Sequence, residues 1–208
     1  MLNDRQPQAE AMTGYPHQDT LKAVFLEART HFAWQEREVS DDLLRDIWDV
    51  ARMGPTSTNG SPMRVVFVKS KAAKERLLKG LKPGNVEKTM AAPVTAITGF
   101  DLEFFERFDK LAPYALDRIS AYRDDPDLGY RAAFRNATLQ AAYFMIVARA
   151  KGLDCGPMSG FLHDVVDEAF FAGTSVKSNF LINLGYGDPS VLFPRQYRFA
   201  FDEACLIM

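Results

Sequence analysis

Residues 141–148 read Ala-Ala-Tyr-Phe-Met-Ile-Val-Ala, an unbroken apolar succession within a stretch, 130–150, that is patterned as a helix. A helix that is apolar all round has no face to give to water, so this half belongs at the centre of a domain or between two copies of the chain. The run is far short of the roughly 20 apolar residues that span a bilayer, which excludes membrane insertion as its explanation. A central helix needs layers around it, and 208 residues with 47% hydrophobic content supply one sizeable core. Lys+Arg 25 against Asp+Glu 27 leaves a formal net charge of -2, no basic field for nucleic acid.

The remaining pattern divides into a flexible arm, 1–18, and a single domain, 19–208. Leu21, Val24, Phe25 and Ala28 recur at helical spacing. Ser40 is a good N-cap, with Asp41 and Asp42 in the first turn that follows. Leu44, Ile47, Trp48 and Ala51 form that helix's buried stripe, and Gly54-Pro55 ends it. Val65-Val66-Phe67-Val68 and residues 93–99 are β-branched runs that predict core strands. Helices are expected over 72–81 and 86–91, separated by a Lys82-Pro83-Gly84 turn. Residues 101–129 read as irregular, with Asp124, Asp125 and Asp127 in a solvated loop. A short extended segment at 153–158, a helix at 162–171 and a strand at 180–184 complete the series. Helices first, then strands and helices without a β-α-β rhythm, favour an α+β, mixed-sheet domain over a doubly wound parallel one.

Cys155 and Cys205 are too few for a disulfide framework, which points to a reducing, cytoplasmic setting. The N-terminus lacks the charged, apolar, small-residue order of a secretory signal. His17, His31 and His163 stand far apart without metal-type spacing, so no metal is expected. Cys155, before Gly156-Pro157, reads either as a nucleophile or as a buried structural thiol. Gly185-Tyr-Gly187 lacks the third glycine and the βαβ unit of a dinucleotide fingerprint.

Other segments offer groups that a ligand can use, although each taken alone reads equally as ordinary structure, the 55–59 loop as a helix-ending turn and the Asn85/Lys88 pair as solvated surface. Pro55-Thr-Ser-Thr-Asn59 offers hydroxyls and an amide, and Asn85 and Lys88 project from one helix face. Gly156-Pro-Met-Ser-Gly-Phe161 lets backbone N–H groups approach closely. Arg29-Thr30 and Arg198 supply cations for a phosphate.

In this order and spacing the chain, from about residue 20 to about 205, resembles the nitroreductase family of FMN-dependent oxidoreductases. Arg29-Thr30-His31, Pro55-Thr-Ser-Thr-Asn59, Asn85-x-x-Lys88, Pro157-Met-Ser-Gly160 and Gly185-Tyr-Gly-Asp188 followed by Arg198 carry the resemblance. Within the family, Phe134-Arg-Asn, Gln140-Ala-Ala-Tyr, Gly156-Pro-Met-Ser-Gly-Phe and Lys177-Ser-Asn are similar to the malonic semialdehyde reductases of pyrimidine utilisation.

The resemblance implies a mixed α+β sandwich with flanking helices, an intertwined homodimer and FMN at its interface. It also implies ping-pong transfer of hydride from NADPH or NADH to a small aldehyde acid, with no protein nucleophile. Arg29, Thr30, His31 and Arg198 would lie about the phosphate and ribityl chain. Asn85 and Lys88 would meet the pyrimidine edge of the ring, and Pro157, Met158, Ser159 and Gly160 would run past it. Pro55, Thr56, Ser57 and Asn59 would come from the partner subunit. The family's second N-terminal basic residue falls here at Phe32, and its lysine before the C-terminal arginine at Gln196. His31 and Arg195 are the available substitutes. Arg118, between Tyr114 and Tyr122, is the candidate clamp for a substrate carboxylate. A broad nitroaromatic or quinone reductase and a flavin-binding module without redox turnover are the other readings. No residue discriminates NADH from NADPH.

Overall fold

Strands β1 (Met63–Val68), β2 (Val94–Asp101), β3 (Asp154–Met158) and β4 (Val176–Gly185) form one sheet in the order β1-β2-β4-β3. They belong to a computed structural model that describes residues 17–208; residues 1–16 of the expected arm lie outside it. Every residue of β2 is buried, as a central strand covered on both faces requires. Its side chains alternate between two cores. Val94, Ala96 and Phe100 join Met63, Ile182 and Leu184 on one face. Ile97 joins Val68, Leu181 and Met158 on the other. All strand pairs are antiparallel. The parallel component of the expected mixed sheet is a single bridge between Thr30 and Cys155 at the outer edge of β3.

The helices are α1 (Gln18–Leu21), α2 (Asp41–Ala51), α3 (Lys71–Leu78), α4 (Pro83–Ala91), α5 (Phe108–Leu111), α6 (Arg118–Asp124), α7 (Pro126–Ala150), α8 (His163–Phe171) and α9 (Phe201–Ala204). α2 and α7 cover the first core, and α3 and α8 cover the second. The apolar run lies in α7, and none of residues 141–148 is exposed. Ala141, Phe144 and Ala148 face the core, while Tyr143, Met145, Ile146 and Val147 are half-buried. Among the described residues no helix is long and apolar enough to cross a membrane.

Three local expectations need correction. The helix expected near residue 19 is one α turn followed by a π turn, Lys22–Leu26, which buries Val24 but leaves Phe25 exposed. Pro83 and Gly84 do not form a turn between helices but begin α4, where the missing proline N–H is no loss. Residues 101–129 are not irregular: 3-10 turns, α5 and α6 occupy them, and α7 starts at Pro126. Phe104, Phe105 and Phe108 are buried there against Tyr122. Asp125 caps α7 by accepting from the Leu128 N–H at 3.0 Å, while Asp124 and Asp127 remain exposed.

Candidate functional site

β3 is the spine of the site. At its start the chain from Arg29 to His31 lies alongside: Thr30 bridges Cys155, and the His31 N–H donates to the Cys155 carbonyl at 3.1 Å. Gly156 permits this, because a Cβ there would stand 2.5 Å from the His31 carbonyl oxygen. The His31 ring is buried against Gly187, whose Cβ would fall on the ring itself. Its Nε2 lies 3.4 Å from Asp154 Oδ1, and its Nδ1 is a buried atom without a partner among the described residues.

The C-terminal segment crosses at this same end. Arg29 donates to the Phe193 carbonyl, and Arg195 donates to the carbonyls of Leu26 and Ala28 at 2.6 and 3.1 Å. Phe32 stacks on Phe193 with centroids 5.1 Å apart. An aromatic contact therefore engages Phe32, and Arg195 is held at the carbonyls just before Arg29. Arg198 is exposed further along the same segment, and its guanidinium donates to the Gln196 and Tyr197 carbonyls.

The far end of β3 runs through Pro157 and Met158, and the chain leaves the sheet at Ser159 and Gly160. There α4 arrives. Asn85 Nδ2 donates to the Gly160 carbonyl at 2.6 Å, and a Cβ on Gly160 would stand 2.7 Å from that amide nitrogen. Lys88, one turn on, is half-buried, and no carboxylate pairs with its ammonium among the described residues. The backbone beneath it is held from three directions. Trp34 Nε1 and Asn183 Nδ2 donate to the Lys88 carbonyl at 3.0 and 3.2 Å. Lys74 Nζ donates to the Thr89 carbonyl at 2.6 Å and to Thr95 Oγ1 at 2.8 Å. Thr95 donates in turn to Asn183 Oδ1 at 2.7 Å, and Thr89 Oγ1 lies 3.4 Å from the Met158 sulfur.

The polar loop after α2 is turned elsewhere. Ser57 N–H donates to Asn136 Oδ1 at 2.8 Å, Tyr143 OH to the Pro55 carbonyl at 3.2 Å and Asn59 Nδ2 to the Leu111 carbonyl at 2.7 Å. Pro55, Ser57 and Asn59 are exposed, with Thr56 partly so. Thr58, Asn59 and Ser61 have φ of 55°, 50° and 40°, a strained cluster for side chains with a Cβ. Arg118 supports it, donating to Thr58 Oγ1 at 3.0 Å. Within one chain, then, Arg29–His31 lie along the start of β3 and Asn85 meets Gly160 past its end, whereas the 55–59 loop bonds to α5, α6 and α7.

Beside Pro157, Met158 and Ser159 opens a cavity of about 770 Å³. Tyr130 and Phe134, stacked in parallel, and Phe100 form its aromatic wall; His163, Lys177 and Asn179 supply polar groups. Sequence reasoning did not assign these side chains to a site, although Phe134 and Lys177-Ser-Asn179 belong to motifs it singled out. Lys74, Trp34 and Asn183 were missed outright. Cys155 is no nucleophile: its side chain is in the core, and burial pushes the thiol up to about 12.

The arrangement has two ends joined by a strand. One gathers arginines and an imidazole whose Nδ1 has no partner among the described residues, a donor set for a phosphate. The other presents an amide, an unpaired ammonium and close-approaching backbone, suited to the edge of a flat heterocycle.

Comparison with known proteins identifies the family of the chain. Residues 29–186 match the nitroreductase family. A protein of Polynucleobacter asymbioticus named "Putative NADH dehydrogenase/NAD(P)H nitroreductase" is 52% identical over 197 residues, 95% of this chain and 100% of its own. A similarly named protein of Burkholderia lata is 54% identical over 187 residues, 90% of this chain and 95% of its own. Among solved structures, one of an Exiguobacterium sibiricum protein in complex with FMN superposes with TM-score 0.79 at 18% identity, covering 94% of this chain and 99% of that one. At that identity the likeness is one of fold. Taken with the match along the sequence, it establishes that the chain belongs to the nitroreductase family.

Proposed function

We propose that this protein is an FMN-dependent NAD(P)H oxidoreductase, a cytoplasmic homodimer that reduces malonic semialdehyde or a similar small aldehyde acid to the hydroxy acid by ping-pong hydride transfer. The observation that carries the flavin reading is the two-ended site along β3, cationic at Arg29 and Arg195 and hydrogen-bonding at Asn85 and Lys88. The family, and the FMN complex of its relative, fit that site.

When bound, FMN supplies the hydride relay between NAD(P)H and the acceptor. Arg29, Thr30, His31, Arg195 and Arg198 would hold the phosphate and ribityl chain. Asn85, already fixed by the Gly160 carbonyl, keeps its second N–H and its oxygen for the pyrimidine edge, where Lys88 would balance negative charge. The backbone of Ser159 and Gly160 would line the ring's reactive middle. Pro55, Thr56, Ser57 and Asn59 would close the site from the partner, which agrees with the loop's bonds to α5 and α7 in its own chain. The half-buried apolar side chains of α7 and the exposed apolar side chains of the C-terminal segment are what such a dimer needs.

The acid specificity rests on the similarity to malonic semialdehyde reductases and on Arg118, an exposed guanidinium with one nitrogen engaged by Thr58 and the rest free for a carboxylate. A nitroaromatic or quinone reductase is the second reading, favoured by the names of the relatives and by the aromatic wall of the cavity. Steady-state kinetics on both substrate classes separates them. Arg118→Ala should lower kcat/KM for the semialdehyde roughly 10- to 100-fold, the range for a hydrogen bond to a charged group, and spare a neutral quinone. Equal effects on both, or none, would refute the clamp.

A further inference from the structure

Lys74 is a lysine that the flavin chemistry does not call for and that a soluble protein does not ordinarily bury. It projects from α3 and is 4% exposed, with Thr89, Thr95 and Asn183 around it wholly buried. No carboxylate pairs with it among the described residues. The geometry explains its retention. α4 ends at Ala91, so the carbonyls of its last turn have no partner within the helix. Two of them, those of Lys88 and Thr89, are satisfied by side chains from elsewhere: Trp34, Asn183 and Lys74. A cation at a helix C-terminus also complements the helix dipole. The same ammonium bonds Thr95 on β2, and Thr95 orients Asn183 on β4. Lys74 thus ties the last turn of α4 to the two central strands.

We propose that Lys74 is a positioning residue for the flavin site: by fixing the last turn of α4 from below, it sets the approach of the Lys88 ammonium to the pyrimidine edge of the ring. This rests on the flavin reading given above. Lys88 is the group that would meet the negative charge of reduced flavin, so a displaced Lys88 favours the oxidised form. Lys74 acts through Lys88 and touches neither cofactor nor substrate.

The test is a double-mutant cycle with Lys74→Met, which keeps an unbranched side chain one atom shorter and removes its donors, and Lys88→Met. The readouts are FMN affinity by fluorescence titration and the midpoint potential of the bound flavin by dye equilibration. Lys74→Met alone should lower the preference for reduced over oxidised flavin about tenfold, about 30 mV for a two-electron couple. In the Lys88→Met background the same change should move the potential little, because the group through which it acts is gone. A Lys74→Met protein that melts at a lower temperature but keeps the wild-type potential would reduce Lys74 to a structural residue and overturn the inference. Equal shifts in both backgrounds would overturn it as well, since Lys74 would then act independently of Lys88. If Lys74→Met does not fold, Thr95→Val, which breaks the link to Asn183, should move the potential in the same direction, and an unchanged potential there has the same overturning force. Wild-type protein that takes up no FMN would instead bring down the flavin reading on which the inference stands.

Discussion

Burial holds the Lys74 ammonium well below its ordinary value of 10.5, at about 8, because the charged form has given up water without gaining a carboxylate. The consequence for stability has a definite sign. Between about 8 and 10.5 the unfolded chain binds more protons than the folded one, so stability rises with pH across that window. Below it both states are protonated and the full penalty of the buried charge remains. Urea unfolding of wild type and Lys74→Met should therefore diverge in favour of wild type as the pH is raised from about 7 to about 10.5, by on the order of 3 kcal/mol. A difference that stays constant with pH would mean that the ammonium is effectively solvated. None of this was legible in the sequence, where a lysine on a short polar helix reads as surface. Its burial is decided by how α3 packs between β1, α4 and α8, which turns the side chain toward Thr95 on β2. That Asn85 and Lys88 belong to one helix was legible from their pattern, and α4 carries both. His31 was singled out in the sequence for the Arg29–His31 motif, but its contact with Gly187 joins segments far apart in the chain.

At the scale of elements, local chemistry was read correctly where it is self-sufficient. Ser40 caps α2 by accepting from the Leu43 N–H at 3.2 Å, and the β-branched runs became β1 and β2. The segment 101–129 was misread because its helices are one- and two-turn pieces, too short to show a period, held by aromatic contacts around Tyr122. Pro83-Gly84 was read as a turn because both residues break helices, yet proline at the first helical position is favourable. The C-terminal segment has a different character. Leu206 and Ile207 are 80% and 84% exposed, and Phe193, Tyr197 and Phe199 are also exposed. In the proposed homodimer this segment finds its cover on the partner subunit. Ile207→Asp should shift the protein toward monomer in sedimentation velocity and weaken FMN binding in parallel, while circular dichroism stays unchanged. A dimer of unaltered stability would remove the segment from the interface.

For the whole molecule, the sheet does two things. Covered on both faces, it is rigid enough to hold β3 as a fixed rail, and β3 sets the separation between the cationic and the hydrogen-bonding ends. The helices on either side then contribute separately: α4 brings Asn85 and Lys88 to the site, whereas α7 carries the apolar surface suited to a second copy. Fold class followed from the order of elements, and the family from motifs scattered over most of the chain. The pairing of strands did not, because the parallel partner of β3 is only the short stretch from Arg29 to His31. The most direct test of a flavin oxidoreductase at this site is the visible absorption spectrum of the FMN-loaded protein titrated with NADPH or NADH under anaerobic conditions, followed by malonic semialdehyde. Bleaching of the flavin band by the nicotinamide and its return on adding the aldehyde are the predicted result. A bound flavin that neither nicotinamide bleaches would contradict the account.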